Sequence, residues 1–263
     1  GIATITFAQP QGRGAPLAVV SDRGLSRREK DEVRRLATRM LRLDDEGVGE
    51  FHRLDKRWKK SGRARVFRSP TFFEDLVKTV TSCNVTWPGT KNMNRRMCEI
   101  ISPAFPSAAQ LARKRPATLR HRCGVGYRDA RLVQLAKLVA SREVDPEWFE
   151  DPSQSDEAID AALLELPGVG PYAAANVLQL LGRYSRLPLD TEAVRHGKVV
   201  LGMSGTTRQI ERALVAHYEP FGAHKFRSYW FELWDWYERR HGPAWSWDPT
   251  KSAQTFVDTT ASA

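Results

Sequence analysis

"LPGVGPYAAANVLQLLGRYSRLPLDTEAVRH", residues 166–196, is the stretch on which the reading of the chain turns. The apolar-periodic "DEAIDAALLE" runs into it, and Pro167-Gly168-Val169-Gly170 then interrupts the helical pattern. Gly168 and Gly170 tolerate positive φ and let a second backbone come close. Pro171 suits the first turn of a new helix, where its missing N–H costs nothing. The spacing predicts helix, tight hairpin, helix. Amides around Val169 and Gly170 would then be left unpaired at a helix N-terminus, ready to hold a phosphate oxygen. On these letters alone an ordinary turn between two helices reads equally well. Asp190 follows at a position that suits a helix N-cap, where the dipole favours its ionised form.

Working outward, "IATITF" and "PLAVVS" read as two short strands around the loop "QPQGRGAP". Helices take over from there. "LSRREKDEVRRLATRML" carries a Ser26…Glu29 capping box with Val33, Leu36 and Met40 on one face. "SPTFFEDLVKTVTSC" offers Thr71…Glu74 as a second box, with Phe72, Phe73, Leu76, Val77 and Val80 as its apolar stripe. Further helical patterns begin near Ser107, Tyr127, Ser155, Pro171, Asp190, Thr206 and His224. The expected fold is mainly α, some ten helices, with a small antiparallel β element at the amino end. The tail from 251 to 263 holds little core material and is expected to be loose.

The 263 residues carry a formal charge of +10, which favours a polyanionic partner. The charge is segregated: residues 51–68 and 111–140 each hold eight Lys/Arg and one Asp, whereas 143–165 hold nine Asp/Glu and no Lys/Arg. That pattern suggests a basic face and an acidic back. Cys83, Cys98 and Cys123 form no CxxC pair, which fits a reducing compartment, and the six histidines lack metal-ligand spacing. No apolar run approaches membrane-spanning length. The chain begins with Gly1 rather than Met, so a fragment or a processed product is expected.

The hairpin, its helix and Asp190, eighteen residues after Tyr172, resemble the helix-hairpin-helix base-excision DNA glycosylases. "SPTFFEDLVKTVTSCNVTW" looks like that family's early helix and the polar turn after it. "CGVGYRDARLVQLA" resembles the "GLGYRA" segment of the 8-oxoguanine and 3-methyladenine glycosylase branches, and "HKFRSYWFELWDWY" is similar to the closing helix of the latter. Together these cover about residues 65–240 in the family's order. The resemblance implies two helical subdomains flanking a cleft. These would be 71–182, and 25–68 together with 183–250, after a β-containing segment over 1–24 that is short and open to being truncated.

The resemblance also implies roles. Breaking an N-glycosidic bond develops positive charge on the sugar, and one carboxylate, Asp190, would stabilise that charge and orient water. Tyr172 stands where strand-nicking members place lysine; a phenol forms no Schiff base, so release of the base without backbone cleavage is expected. Its ring would stack on a flipped, cationic alkylated base. Trp87 and Trp230 are candidate pocket aromatics; Trp87 reads equally as core, and of the stripe that Trp230 forms with Trp234 and Tyr237, core by default, at most one is expected to reach the pocket. Asn84 is a wedge into the duplex or simply a turn residue. Pro167, Gly168, Val169 and Gly170, with Arg113, Arg122 and Arg128, are expected to meet DNA, while Tyr127 is expected to pack inside.

No cysteine follows Cys123, so the iron–sulfur cluster of endonuclease III-like relatives has no ligands here. No cofactor is expected beyond a monovalent cation bridging the hairpin to phosphate. The expected partner is duplex DNA with a damaged base, met by a monomer inside the cell. Deaminated, mismatched or oxidised bases remain alternative substrates, and a non-catalytic DNA-binding module is the alternative class.

Overall fold

The computed structural model describes residues 3–8 and 16–248; the tail over 251–263 lies outside the described residues. Two strands, β1 (Ile5–Ala8) and β2 (Ala18–Ser21), pair antiparallel with Ile5 opposite Ser21 and Ala8 opposite Ala18. Twelve α-helices of five or more residues follow among the described residues. They are α1 (Arg27–Leu41), α2 (Val48–Leu54), α3 (Phe72–Ser82), α4 (Trp87–Ile100), α5 (Ala108–Ala112), α6 (Asp129–Ala140), α7 (Pro146–Glu150), α8 (Asp156–Leu164), α9 (Pro171–Leu181), α10 (Thr191–Val199), α11 (Thr207–Tyr218) and α12 (Lys225–His241). No described helix is long and apolar enough to cross a membrane.

Helix starts follow local chemistry. Ser26 and Glu29 form a full capping box on α1, and Ser155, Asp190 and Thr206 each accept a first-turn amide. At α3 only half of the expected box forms: Thr71 accepts from Glu74 N–H, and the Glu74 carboxylate turns to Lys78 at 2.6 Å. Helix α4 has no counterpart among the sequence patterns. Its Pro88-Gly89 pair sits in the first turn, where proline is tolerated.

Two separate apolar cores result. One gathers Phe72, Leu76, Met97, Leu111, Leu132, Ile159 and Leu178, all from residues 72–178. The other joins Phe51, Trp58 and Val66 to Tyr184, Ile210, Tyr218, Phe226 and Tyr237. The second core therefore draws on chain from both sides of the first. Arginines at the end of α1 and in the segment after α2 tie the halves together. Arg39 pairs with Asp75 of α3 at 3.0 Å and with Glu150 of α7 at 2.5 Å. Arg42 donates to the carbonyls of Leu180 and Leu181, and Arg68 donates to Leu180 as well, so the last turn of α9 is satisfied by side chains from elsewhere. Gly182 ends that helix at φ +92, and a Cβ there would collide with the Arg42 guanidinium.

Much of the basic stretch 51–68 is used in the same internal way. Arg57 pairs with Asp55 and Glu232, and Arg63 with Asp235 and Glu238. Arg53, Lys56, Lys59 and Lys60 remain exposed, without an ion-pair partner among the described residues. The single basic face expected over 51–68 is thus partly a strap that holds α12.

His196 lies fully buried in the second core, edge-on to Tyr229 at 5.3 Å. The Tyr218 proton goes to Glu232 at 2.7 Å, so His196 Nε2–H donates to the Tyr218 oxygen at 2.9 Å and Nδ1 is left without a partner. Burial, then the adjacent Arg195, pushes the His196 pKa down to about 4. Its ordinary value is 6.5, so the unfolded chain binds a proton that the folded chain refuses. The stability this contributes is complete above about pH 6.5 and is lost as pH falls through about 4. Urea unfolding should therefore show a loss of about 3 kcal/mol across that window. His196→Gln should flatten the loss; an equal fall in the variant would assign the acid sensitivity elsewhere.

Candidate active site

The hairpin closes with the Val169 amide donating to the Leu166 carbonyl at 3.1 Å. Val169 is therefore buried and used in the turn, not left open as its sequence position suggested. The amides of Gly168 and Gly170 have no acceptor among the described residues. Only Gly168 needs its glycine freedom, at φ +85 and with Val80 and the Arg131 stem within 3.5 Å of where a Cβ would stand. Gly170, with φ −107, is the extended N-cap of α9, and a Cβ there would meet open space. Pro167 is half-buried beneath the turn. One side of the hairpin is thus packed and the other is free for an anion at the positive end of α9.

Tyr172 and Asp190 come together. The Tyr172 hydroxyl donates to Asp190 Oδ2 at 3.2 Å, while Oδ1 accepts the Ala193 N–H of α10 at 2.8 Å. The carboxylate is thereby fixed at both oxygens, one from each half of the molecule. Leu187, Leu189, Ala193, Leu214 and Tyr229 pack together next to it in apolar surroundings with no room for a water molecule. Burial in these surroundings pushes the Asp190 pKa above the usual carboxylate value, against the pull of the Ala193 amide and the Tyr172 hydroxyl. The Tyr172 phenol is pushed upward by its own burial and by the adjacent carboxylate, so it stays protonated and donates. A raised carboxylate held by two donors suits a group that accepts a proton or faces a developing cation.

The loop after α3 forms one wall. Asn84 is exposed in a left-handed conformation at φ 51, flanked by exposed Val85 and half-exposed Trp87 at the start of α4. Arg128 corrects the sequence reading: it is 6% exposed, and its guanidinium donates to the carbonyls of Val80, Val125 and Cys83. Three of its five N–H groups serve these carbonyls, two of them at the end of α3, so the side chain is turned inward and not toward a phosphate. Tyr127, expected inside, is instead 55% exposed, with Arg128 4.4 Å and Arg131 5.7 Å from its ring centre. Reading "GYR" as tyrosine in, arginine out reverses the observed arrangement.

Arg131 was missed by sequence reasoning. Exposed on α6, it lays its stem against Gly168. Its signal was its place four residues after Tyr127, one helical turn on. Arg113 and Arg122 are exposed and without ion-pair partners among the described residues. Trp230 is half-buried, stacked on Phe226 at 5.6 Å and edge-on to Trp234 at 5.7 Å. No ring contact joins Trp87 or Trp230 to Tyr172 among the described residues.

No family model and no curated protein sequence matches the chain. Solved structures do match. The apo-form of an 8-oxoguanine glycosylase/lyase from Clostridium acetobutylicum aligns with a TM-score of 0.65 at 20% identity, over 87% of this chain and 82% of that one. A 3-methyladenine DNA-glycosylase from Archaeoglobus fulgidus aligns at 0.59 and 19% identity, over 90% and 87%. A 3-methyladenine DNA glycosylase from Schizosaccharomyces pombe, in complex with abasic DNA, aligns at 0.57 and 19% identity, over 82% and 99%. With the hairpin, its helix and the capped aspartate in this order, the chain has the fold of the helix-hairpin-helix DNA glycosylases.

Proposed function

We propose that the protein is a DNA glycosylase that flips a damaged base out of duplex DNA and hydrolyses its N-glycosidic bond, releasing alkylated purines and leaving the backbone intact. The observation that carries this reading is the Tyr172–Asp190 contact beside a hairpin whose outer amides are free. The Gly168 and Gly170 amides and the positive end of α9 receive a backbone phosphate. The Gly168 carbonyl, which accepts no hydrogen bond among the described residues, suits a monovalent cation at the same place. Asn84 and the exposed residues beside it enter the gap left by the flipped nucleotide, and Arg113, Arg122 and Arg131 meet phosphates.

Asp190, ionised, stabilises the cationic sugar as the bond breaks and takes the proton of the attacking water. Tyr172 aligns the carboxylate through its hydroxyl and offers its ring to a cationic base. No lysine occurs between Leu166 and Leu181, and Lys198 is exposed on α10, which supports hydrolysis without attack by an amine.

The test is release of free base from three duplexes: dimethyl-sulfate-methylated DNA, DNA with one 8-oxoguanine opposite cytosine, and DNA with one uracil. Methylated purines should be released fastest, with strand breaks only after alkali. Release confined to 8-oxoguanine or uracil would move the substrate class while keeping the reaction. Binding without release from all three would overturn the enzyme.

A further inference from the structure

Glu192 lies two residues beyond Asp190 in the first turn of α10, close enough for its charge to act on Asp190. Arg195 grips it with both arms: Nε lies 2.9 Å from Oε2 and 3.0 Å from Oε1, and Nη2 lies 2.5 Å from Oε1. The Tyr237 hydroxyl of α12 adds a third donor at 2.7 Å. The guanidinium itself is pinned, 4.2 Å from the Trp236 ring centre and 5.2 Å from that of Tyr237, and only 11% exposed. An exposed pair at this helical spacing contributes a few tenths of a kcal/mol. Here Arg195 Nη1 is buried with no acceptor among the described residues, which costs stability. Stability alone does not account for such an arrangement.

We propose that Arg195 is a positioning residue for Asp190: by holding Glu192 and setting a positive charge beside it, it counters the repulsion that this second carboxylate exerts on Asp190. This rests on the reading of Asp190 as the carboxylate of the reaction. The groups around Asp190 make the balance a close one. Tyr172 on α9 faces it with a donated proton, and the Tyr229 phenol on α12 is pushed upward by its burial and then by Asp190 and Glu192. Cys83, at the end of α3, is kept a neutral thiol by burial, and His196, further along α10, is held neutral in the same way. Among these groups Arg195 is the only fixed positive charge on Glu192's own helix turn. Without it Asp190 would face an unbalanced carboxylate in largely buried surroundings, which favours its protonated form.

The test uses ¹³C-carboxyl NMR titration of Asp190 in the full chain, alongside the pH profile of methylated-purine release from dimethyl-sulfate-treated duplex. Arg195→Met keeps an apolar stem against Trp236 and should raise the Asp190 midpoint by about one pH unit. The acid limb of base release should move with it, the plateau rate staying within a few-fold. Adding Glu192→Gln should return both to their starting positions. Should the methionine variant not fold, Arg195→Gln removes the same charge while keeping a hydrogen bond. An unmoved midpoint, or a shift that survives Glu192→Gln, overturns the proposal. Undiminished release by an Asp190→Asn variant would instead overturn the catalytic reading, while the NMR midpoint would still decide the coupling.

Discussion

Asp190→Asn is expected to fold and bind duplex as the parent chain does, and to lose base release by about 10²–10⁴-fold. The fold survives because asparagine is as good an N-cap as aspartate: its Oδ1 still accepts the Ala193 amide. Toward Tyr172 the new amide donates where the carboxylate accepted, and the phenol can accept in return. What disappears is the negative charge, and with it the group that stabilises the sugar cation and takes the water's proton. Removing the charge also relieves a carboxylate that burial disfavours, so thermal stability should hold or rise slightly. Single-turnover release, thermal unfolding and filter binding on the same preparations check the three parts. Near-parental release would transfer the chemistry to another residue.

The second large effect concerns the backbone. The parent protein should leave abasic sites that break only after alkali, with no borohydride-trappable adduct. Tyr172→Lys should make such an adduct with abasic DNA. The substituted position faces Asp190 from the first turn of α9, so an amine there would share the space of the present phenol. Partial burial favours its neutral, nucleophilic form, although the nearby carboxylate opposes this, so trapping should increase with pH. The same substitution removes the ring, and release of methylated purines should fall. Trappable cleavage by the parent chain would overturn the hydrolytic assignment.

The backbone plan was legible because it is written in local signals. Ser26, Ser155, Asp190 and Thr206 announce helix starts by the same hydrogen bonds that the structure shows, and Gly168 and Pro171 locate the hairpin. The pairing of Tyr172 with Asp190 was legible only through resemblance, since eighteen intervening residues carry no geometric information of their own. Arginine roles were the least legible. Arg113, Arg122 and Arg128 lie within sixteen residues of one another, yet two are exposed and one is buried on three carbonyls. Which arginine turns inward depends on where α3 ends against it, a contact across 45 residues of chain. Tyr127 was misplaced for the same reason: Arg128 turns inward and the Tyr127 ring stays exposed beside it. Helix α4 was obscured by Pro88-Gly89, which signals a turn unless Thr86 is known to precede a helix.

The arginines at the far end of α9 bear on the hairpin electrically. A free helix is a dipole with two comparable poles, and an approaching anion feels attraction from one and repulsion from the other. Here Arg42 and Arg68 place positive charge on the carbonyls of the last turn, so the negative pole is cancelled inside the protein. Eleven residues make α9 about 16 Å long, short enough for the far pole to matter at the near one when little water intervenes. The helix that begins at Gly170 therefore presents itself to a phosphate as a single pole. It is a positive electrode whose counter-electrode has been earthed within the fold.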